Sequence, residues 1–341
     1  MREPVAAALE LTQVAASSDP LLDRADALLA TLRRLVPFDG AWMALADPQQ
    51  NRYTRLASAD LDRSTEEYLG GPTMAREIEV TGTNRLAPPL SLSDLPYPAE
   101  DLATWAECLI PAGFHEAQAV ALFAPGGRHV AFLALLSGSK DPPRRDMRRR
   151  LGRLTSVLAG AVDPMRDLLP AARLVHGAIA AVVLRPDGRT DALPGLPDHP
   201  LLSAGSPVLA TAHATIDQGH TYSSFLWPVG GSHAPDGHCR ITVLASADDV
   251  SNLLTGLVLV SRPGDLRALT RRELEVLGLL IEGCSNREMA RALVVSQRTV
   301  AAHLEHILTK LAAPTRTLAA VRAEREGLYV PRPPDGAARR P

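Results

Sequence analysis

The chain has 341 residues, of which 46% are hydrophobic and 22% are charged, and its formal net charge is −2. This length predicts two or three domains, and the composition is that of ordinary globular proteins. The charge excludes a chain that is basic throughout, and no apolar run approaches the length needed to span a membrane.

Cysteine usage and the first residues indicate the compartment. The three cysteines, Cys108, Cys239 and Cys284, are scattered and odd in number, and they form no CxxC pair. This pattern argues against a disulfide framework or a zinc finger. The alanine-rich run after Pro4 is broken by Glu10 and lacks a signal-peptide pattern. We therefore expect a cytoplasmic protein.

The first 168 residues alternate helical and strand patterns. Apolar residues at helical spacing predict a helix that starts at Leu21 and stops at Pro37. Residues 41–46, 52–58, 115–123 and 128–136 read as strands, with a proline-rich loop at 85–98 and a short helix at 102–109. A long helix follows from Met147 to Leu169. These elements predict an α+β layer arrangement over residues 15–168.

The order of these elements, and the sequence Phe38-Asp39-Gly40-Ala41-Trp42 at the first strand, resemble a GAF domain. GAF domains sense small molecules, so the resemblance implies a ligand pocket. The scarce aromatic residues are the candidates for its lining: Trp42, Tyr53, Phe114 and Phe132. The alternative for each of them is plain core packing. The sequence does not name a ligand.

Residues 171–262 predict a smaller α+β segment. Residues 178–184, 223–229 and 239–245 read as strands. The segment is either a PAS-like sheet or an extension that couples the sensor to the C-terminal domain.

We do not expect the histidines of this segment to form a metal site. His238 and Cys239 are adjacent, and adjacent residues of a strand point to opposite faces. The spacing of His213, His220 and His233 fits no tight ligand pair. We expect no metal, no cofactor and no catalytic residue.

The residues from Leu269 to Leu328 carry the clearest pattern of the chain, four short helices of which three have capped starts. Thr270 and Glu273 form a capping box, and Ser285 and Glu288 repeat it. Gly283 ends the first helix, and Ser296 caps the third. A helix of about eight residues, a turn at 294–296 and a longer helix have the spacing of a helix-turn-helix.

The third helix has two different faces. Its apolar residues follow helical spacing, so they share a buried face: Val300, Leu304, Ile307, Leu308 and Leu311. The opposite face carries small and polar side chains: Arg298, Ala302, Glu305, His306 and Thr309. Such a face can enter a major groove, where base edges are read.

The motifs Leu269–Leu277, Ser285–Ala290 and Ser296–Leu304, with Lys310-Leu311, resemble the LuxR-type (GerE-type) DNA-binding domain. The resemblance implies a four-helix fold over residues 266–329 that binds promoters as a dimer on inverted half-sites. It also implies that Thr299 and the residues after Val300 meet DNA, and that the helix from Thr315 helps dimerisation. Two departures stand out, because many members carry a basic residue where Ala301 stands and often one where Glu305 stands.

Together, the exposed face and the resemblance predict a set of DNA-binding residues: Asn286, Arg287, Ser296, Gln297, Arg298, Thr299, Ala301, Ala302, Glu305, Thr309, Lys310 and Arg316. The expected partners are double-stranded promoter DNA, a second copy of the chain and an unknown small-molecule effector. Residues 330–341 are expected to be a disordered tail.

The sequence thus predicts a multidomain transcriptional regulator with an α+β GAF-like sensor, a smaller α+β PAS-like segment and an all-α four-helix domain. Two other classes stay open. One is an interaction protein whose helix-turn-helix has lost DNA affinity, which the residues at Ala301 and Glu305 favour. The other is an enzyme that uses the sensor pocket, which would need paired titratable groups in a cavity.

Overall fold

A computed structural model describes residues 2–166, 168, 172, 175, 177–193, 195–229, 237–246 and 254–333. His233 and residues 334–341 of the expected tail lie outside these ranges. The chain divides into two compact units, Met1–Arg166 and Asp167–Pro341. Within the described ranges, no helix is long and apolar enough to cross a membrane.

The first unit is built on an antiparallel sheet with the order β2-β1-β5-β4-β3. Its strands are β1 (Gly40–Asp47), β2 (Arg52–Ala59), β3 (Leu90–Ser91), β4 (Glu116–Phe123) and β5 (His129–Ser137). The four long strands, β1, β2, β4 and β5, lie where the sequence predicts strands. The short β3 falls within the stretch that was expected to be a loop.

Two groups of helices pack against this sheet. The helices α1 (Arg2–Ala16), α2 (Leu21–Leu35) and α5 (Arg145–Ala161) contact one another, and α2 and α5 also contact the sheet. A second group shares a core with Trp42 and Ala44 of β1. It consists of α3 (Arg63–Leu69), α4 (Pro72–Val80) and a π-helical turn (Thr104–Leu109).

The helix α1 extends the first unit beyond its expected start at residue 15. Ala7 and Leu11 are 3% and 1% exposed, so the helix is anchored by its apolar face. The alanine-rich sequence offered little helical periodicity, and the packing of the helix against α2 and α5 could not be read from it.

The long helix expected at 147–169 is shorter than predicted, because α5 ends at Ala161. Pro164 disfavours helical backbone at the preceding residue, Asp163. The side chain of Asp163 instead accepts hydrogen bonds from Arg128 and from the Met165 backbone. Two arginines of α5 make contacts within the first unit: Arg148 binds Asp94, and Arg150 donates to the Leu35 carbonyl.

The second unit contains a sheet with the same strand order, described over residues 177–261 as β7-β6-β10-β9-β8. The strands are β6 (Ala178–Leu184), β7 (Thr190–Ala192), β8 (Tyr222–Pro228), β9 (His238–Ala245) and β10 (Gly256–Ser261). The helix α6 (Pro207–Asp217) packs on it through Val208, Leu209 and Ala212. The α+β class expected of this segment is confirmed. Its assignment as PAS-like stays a prediction.

Four helices complete the second unit: α7 (Arg271–Ile281), α8 (Asn286–Leu293), α9 (Gln297–Lys310) and α10 (Arg316–Glu326). The expected all-α four-helix class is confirmed. Their core contains Leu226 of β8, which is fully buried. The Leu226 amide donates to the Tyr329 carbonyl at 2.8 Å, and the Val330 amide donates to the Leu274 carbonyl at 3.1 Å. The residues after α10 therefore join the helices to the sheet.

Arg240 of β9 strengthens this joint. Its guanidinium donates to the carbonyls of Glu326 and Gly327, at 2.9 Å and 3.3 Å, where α10 ends. It also donates to the Pro263 carbonyl at 2.9 Å. A cation at a helix C-terminus satisfies carbonyls that lack partners within the helix. The two segments that the sequence separates at residues 262–266 thus share one packed unit.

Candidate nucleic-acid interface and ligand cavity

The starts of α7, α8 and α9 are fixed by the expected caps. The Thr270 and Glu273 side chains form a complete capping box, and so do those of Ser285 and Glu288. The Ser296 hydroxyl accepts from the Thr299 amide at 3.0 Å. These local hydrogen bonds set where each helix begins, and they confirm the pattern read from the sequence.

The turn of the helix-turn-helix lies at Val294, Val295 and Ser296, as expected. Val294 is left-handed, with φ 55° and ψ 49°, and it is 90% exposed. A β-branched residue seldom adopts this conformation, because its Cβ approaches the backbone. The turn is therefore strained at a position that makes little packing contact.

Replacing Val294 with Asn is expected to stabilise the second unit by roughly 1 kcal/mol, because Asn tolerates left-handed backbone. The measurement is the urea midpoint of the full chain. The matched control is Val321→Asn, since Val321 is another exposed valine but lies inside the right-handed helix α10. An unchanged urea midpoint in Val294→Asn, or an equal increase in Val321→Asn, would contradict this account.

The two faces of α9 agree with the prediction. Val300 and Ile307 are fully buried, and Leu304 is 9% exposed. The outward face consists of exposed residues: Arg298, Ala302, Glu305, His306 and Thr309. Leu308 is half-buried against the core. An unobstructed polar face along most of α9 is what insertion into a groove requires.

Most of the predicted DNA-binding residues lie on or beside this face. Ser296, Gln297, Arg298 and Thr299 are exposed at the capped start of α9. Ala302, Glu305 and Thr309 follow along the helix, while Ala301 is half-buried at its edge. Arg287 is exposed at the start of α8, and the neighbouring Asn286 is half-buried.

Six arginines of these helices illustrate two different roles. Arg287, Arg291 and Arg298 are exposed and make no ion pair with any residue that the structure describes. Others bind helix ends, and sequence reasoning missed this role for two of them. Arg272 donates to the Leu293 carbonyl at 3.0 Å, and Arg322 donates to the Leu311 carbonyl at 2.7 Å. The predicted site residue Arg316 donates to the Cys284 carbonyl at 2.8 Å.

Lys310 makes a structural contact that its sequence position does not reveal. Its Nζ lies 2.7 Å from one oxygen of the Glu273 carboxylate and 3.0 Å from the other. The Glu273 side chain is 2% exposed. Burial raises the pKa of Glu273, but hydrogen bonds from Lys310 and Thr270 outweigh it and lower the pKa from its ordinary value. The ammonium therefore holds α9 to the capped start of α7.

A cavity of about 70 Å³ lies within the first unit, between the sheet and the second group of helices. Its sheet side is lined by Ala119 of β4 and by Phe132 and Ala134 of β5. Glu77 of α4 and Thr104 of the π-helical turn line it from the helical side. The lining is mostly apolar with a few polar groups, as in small-molecule sites.

The four aromatic residues expected at a pocket do not all reach it. Phe132 lines the cavity, while Trp42, Tyr53 and Phe114 do not. All four belong to the same buried cluster. Burial, and then the nearby Glu79, raise the pKa of Tyr53 to about 12. Core packing thus accounts for three of the four, because large rings fill space that smaller residues leave open.

Alternating alanines would have been the better sequence signal for this cavity. Ala117 and Ala119 occupy alternate positions of β4, and both line the cavity. Ala119 pairs with Ala134 on the neighbouring strand β5. Small side chains at facing positions leave a void under the helices that cover them.

Residues 267–323 match the family model described as "Bacterial regulatory proteins, luxR family". These four helices are a LuxR-family helix-turn-helix domain. Transcriptional regulatory protein LnrK of Bacillus subtilis (strain 168) is 40% identical over 77 residues, which are 23% of this chain and 35% of that protein. LiaR of the same organism is 46% identical over 61 residues, 18% of this chain and 29% of that protein. The chain spans about a third of the length of the curated relatives it matches. Neither relative is named as an enzyme.

Two kinds of solved structure resemble parts of the chain. A GAF domain of a phosphoenolpyruvate-protein phosphotransferase from Coxiella burnetii is 15% identical, with a TM-score of 0.37, over 49% of this chain and 96% of its own. The Vibrio cholerae VqmA dimer is 19% identical, with a TM-score of 0.22, over 37% of this chain and 66% of its own. Scores below 0.5 do not establish a shared fold.

Proposed function

We propose that this protein is a cytoplasmic transcriptional regulator that binds promoter DNA sequence-specifically through α9, as a homodimer, under the control of a small molecule. The exposed polar face of α9, opposite a fully buried apolar face, is the observation that supports the proposal most. The capped start of α9 supports it further, because free amides and Arg298 at a helix N-terminus favour phosphate.

The proposed contacts divide by chemistry. Arg287, Arg291 and Arg298 contact phosphates, since each is exposed and free of ion pairs within the described structure. Gln297, Thr299 and Ala302 approach base edges, where small or hydrogen-bonding side chains fit. The Lys310 ammonium, already bound to Glu273, would add little to the phosphate grip.

We propose dimerisation because α8 and α9 offer only a few basic side chains to phosphates. Few phosphate contacts give weak binding by one copy, and two half-sites multiply the affinity. The apolar residues that α10 leaves partly exposed, such as Leu318, Ala320 and Val321, offer too little area for a stable dimer alone. A larger interface elsewhere on the chain would be needed. Equilibrium sedimentation of the full chain, with and without DNA, tests this: a monomer in both conditions would contradict it.

The second candidate is an interaction protein that has lost DNA affinity. The exposed carboxylate of Glu305 in the middle of the DNA-facing side supports it. A carboxylate there repels phosphates, and Ala301 supplies no basic residue to offset it.

One experiment separates the two candidates. DNA is selected from a random-sequence pool with the full chain, and binding to the selected site is measured over a range of salt concentrations. Arg298→Ala is expected to weaken binding by roughly tenfold and to reduce the log–log salt slope by about one, because one phosphate contact is lost. Glu305→Lys is expected to strengthen binding to all sequences.

Arg325→Ala is the matched control, because Arg325 is an exposed arginine on α10 and not on α9. It should leave affinity and salt slope unchanged. If no sequence is selected from the pool, the chain is the interaction protein. If Arg325→Ala weakens binding as much as Arg298→Ala, α9 is not the DNA-facing helix.

A further inference from the structure

We infer that the cavity of the first unit binds a small primary amine with a branched apolar body, its ammonium held by Glu77 and Thr104. This inference rests on the proposed control by a small molecule and names the chemistry of that molecule. It follows from three features of the cavity: its shape, its apolar walls and two polar groups that are poorly satisfied within the protein.

The shape comes from the sheet. Ala119 and Ala134 face each other across β4 and β5, while Phe132 and Leu136 on β5 are large. A cavity of about 70 Å³ has room for on the order of five water-sized groups. The ligand is therefore compact, with a width set by the two alanines.

The apolar walls exclude most polar metabolites. Ile78, Leu102, Trp105 and Leu109 line the cavity from the helical side. A sugar or a phosphate would lose its water without gaining enough hydrogen bonds, which is costly. An apolar body is favoured because it moves out of water and into contact with these apolar side chains.

The polar groups select the head of the ligand. The Thr104 side chain is 1% exposed, and its hydroxyl has no hydrogen-bond partner among the described residues. The Glu77 carboxylate accepts only from the Thr104 amide, at 3.2 and 3.3 Å, and forms no ion pair in the described structure. A buried hydroxyl without a partner is uncommon in proteins, and the half-buried Glu77 carboxylate keeps oxygen lone pairs that a ligand can fill.

An ammonium would supply hydrogen bonds to both groups. It has three donors and no acceptor, so it can bind the carboxylate and the hydroxyl oxygen together. Charge-assisted hydrogen bonds of this kind are about twice as strong as neutral ones. A carboxylate head would instead face the Glu77 carboxylate and be repelled. The π-helical turn that presents Thr104 is a rare element that is often found at functional sites.

Binding is tested with four probes of similar size, using the full chain and titration calorimetry. The probes are isopentylamine, isopentanol, 2-methylpentane and 4-methylpentanoate. Isopentylamine is expected to bind most tightly and 4-methylpentanoate not at all. In Glu77→Gln, the affinity for isopentylamine should fall by about tenfold or more, because the charge-assisted bond is lost. Its affinity for isopentanol should stay unchanged, since Gln keeps an acceptor for the Thr104 amide.

Two further variants test the place of binding. Ala134→Leu fills the cavity and should abolish binding of every probe, and Ala119→Leu does the same if the first variant does not fold. Glu79→Gln is the control, because it removes the same charge from the exposed side of α4. It should bind isopentylamine as the parent chain does.

Three results would overturn the inference. They are that no probe binds, that the alkane binds as tightly as the amine, or that binding persists in both Ala134→Leu and Ala119→Leu. DNA binding of the same samples, measured by gel shift, is read separately. A chain that binds DNA but no amine refutes only this inference. A chain that binds the amine but no DNA refutes the proposed regulator.

Discussion

Replacing Leu304 with Asp is expected to unfold the four C-terminal helices and to abolish DNA binding. Leu304 is 9% exposed and packs in one cluster with Val300 and Ile307. Burying an unpaired carboxylate there costs several kcal/mol, and the lost packing of the leucine adds about 3 kcal/mol. Together these costs approach the whole stability of a small domain.

Hydrogen exchange of the full chain, resolved by mass spectrometry, localises this effect. Peptides from residues 271–326 should lose protection, while those from the first unit should keep it. The control is Ala302→Asp, which puts the same charge two residues away on the exposed face of α9. It should change the stability by less than about 1 kcal/mol. Equal protection in Leu304→Asp and the parent chain would mean that the inner face of α9 is wrongly assigned.

Replacing Lys310 with Met is expected to destabilise the same helices by roughly 2 to 4 kcal/mol. The Glu273 carboxylate, 2% exposed, would lose its cation. Removing one partner of a buried ion pair leaves an uncompensated charge, although the partial exposure of Lys310 moderates the cost. The double variant Lys310→Met/Glu273→Gln should recover most of the loss, because Gln can keep the capping box with Thr270.

The pH dependence of this effect has a defined sign. The pKa of Glu273 is lowered in the folded chain. The ionised carboxylate therefore stabilises the fold above pH 4.5, and this stabilisation is lost as the pH falls through the pKa of Glu273 in the folded chain. In Lys310→Met, burial acts without the opposing ammonium, and the pKa of Glu273 should rise. The difference in stability between parent and variant should therefore shrink as the pH falls from the raised pKa of Glu273 in the variant, above 4.5, to its lowered pKa in the parent.

Urea unfolding at pH 7 and pH 4 measures both effects. The matched control is Lys140→Met, which removes an exposed lysine from the first unit. It should change neither the stability of the helices nor its pH dependence. If the difference in stability between parent and Lys310→Met is the same at both pH values, the loss of Lys310 does not act through the charge of the Glu273 carboxylate.

The sequence alone determined the ends of the C-terminal helices and the two faces of α9. Caps such as Ser285 with Glu288 join residues three apart, and the buried face repeats every three or four residues. These interactions are local, so neighbouring residues suffice to specify them. Short runs of apolar residues bounded by turn residues likewise predicted the four long strands of the first sheet.

Only the tertiary structure decided the partners that are distant in the chain. Lys310 is one of the predicted DNA-binding residues, and only the structure shows that its ammonium contacts Glu273, 37 residues away. The cavity depends on the register that sets Ala119 opposite Ala134, and the sequence reasoning chose aromatic residues instead. Leu226, although on a strand of the second sheet, completes the core of the four helices. Such pairings depend on how elements pack in space, and periodicity within one element does not encode the neighbour it will meet.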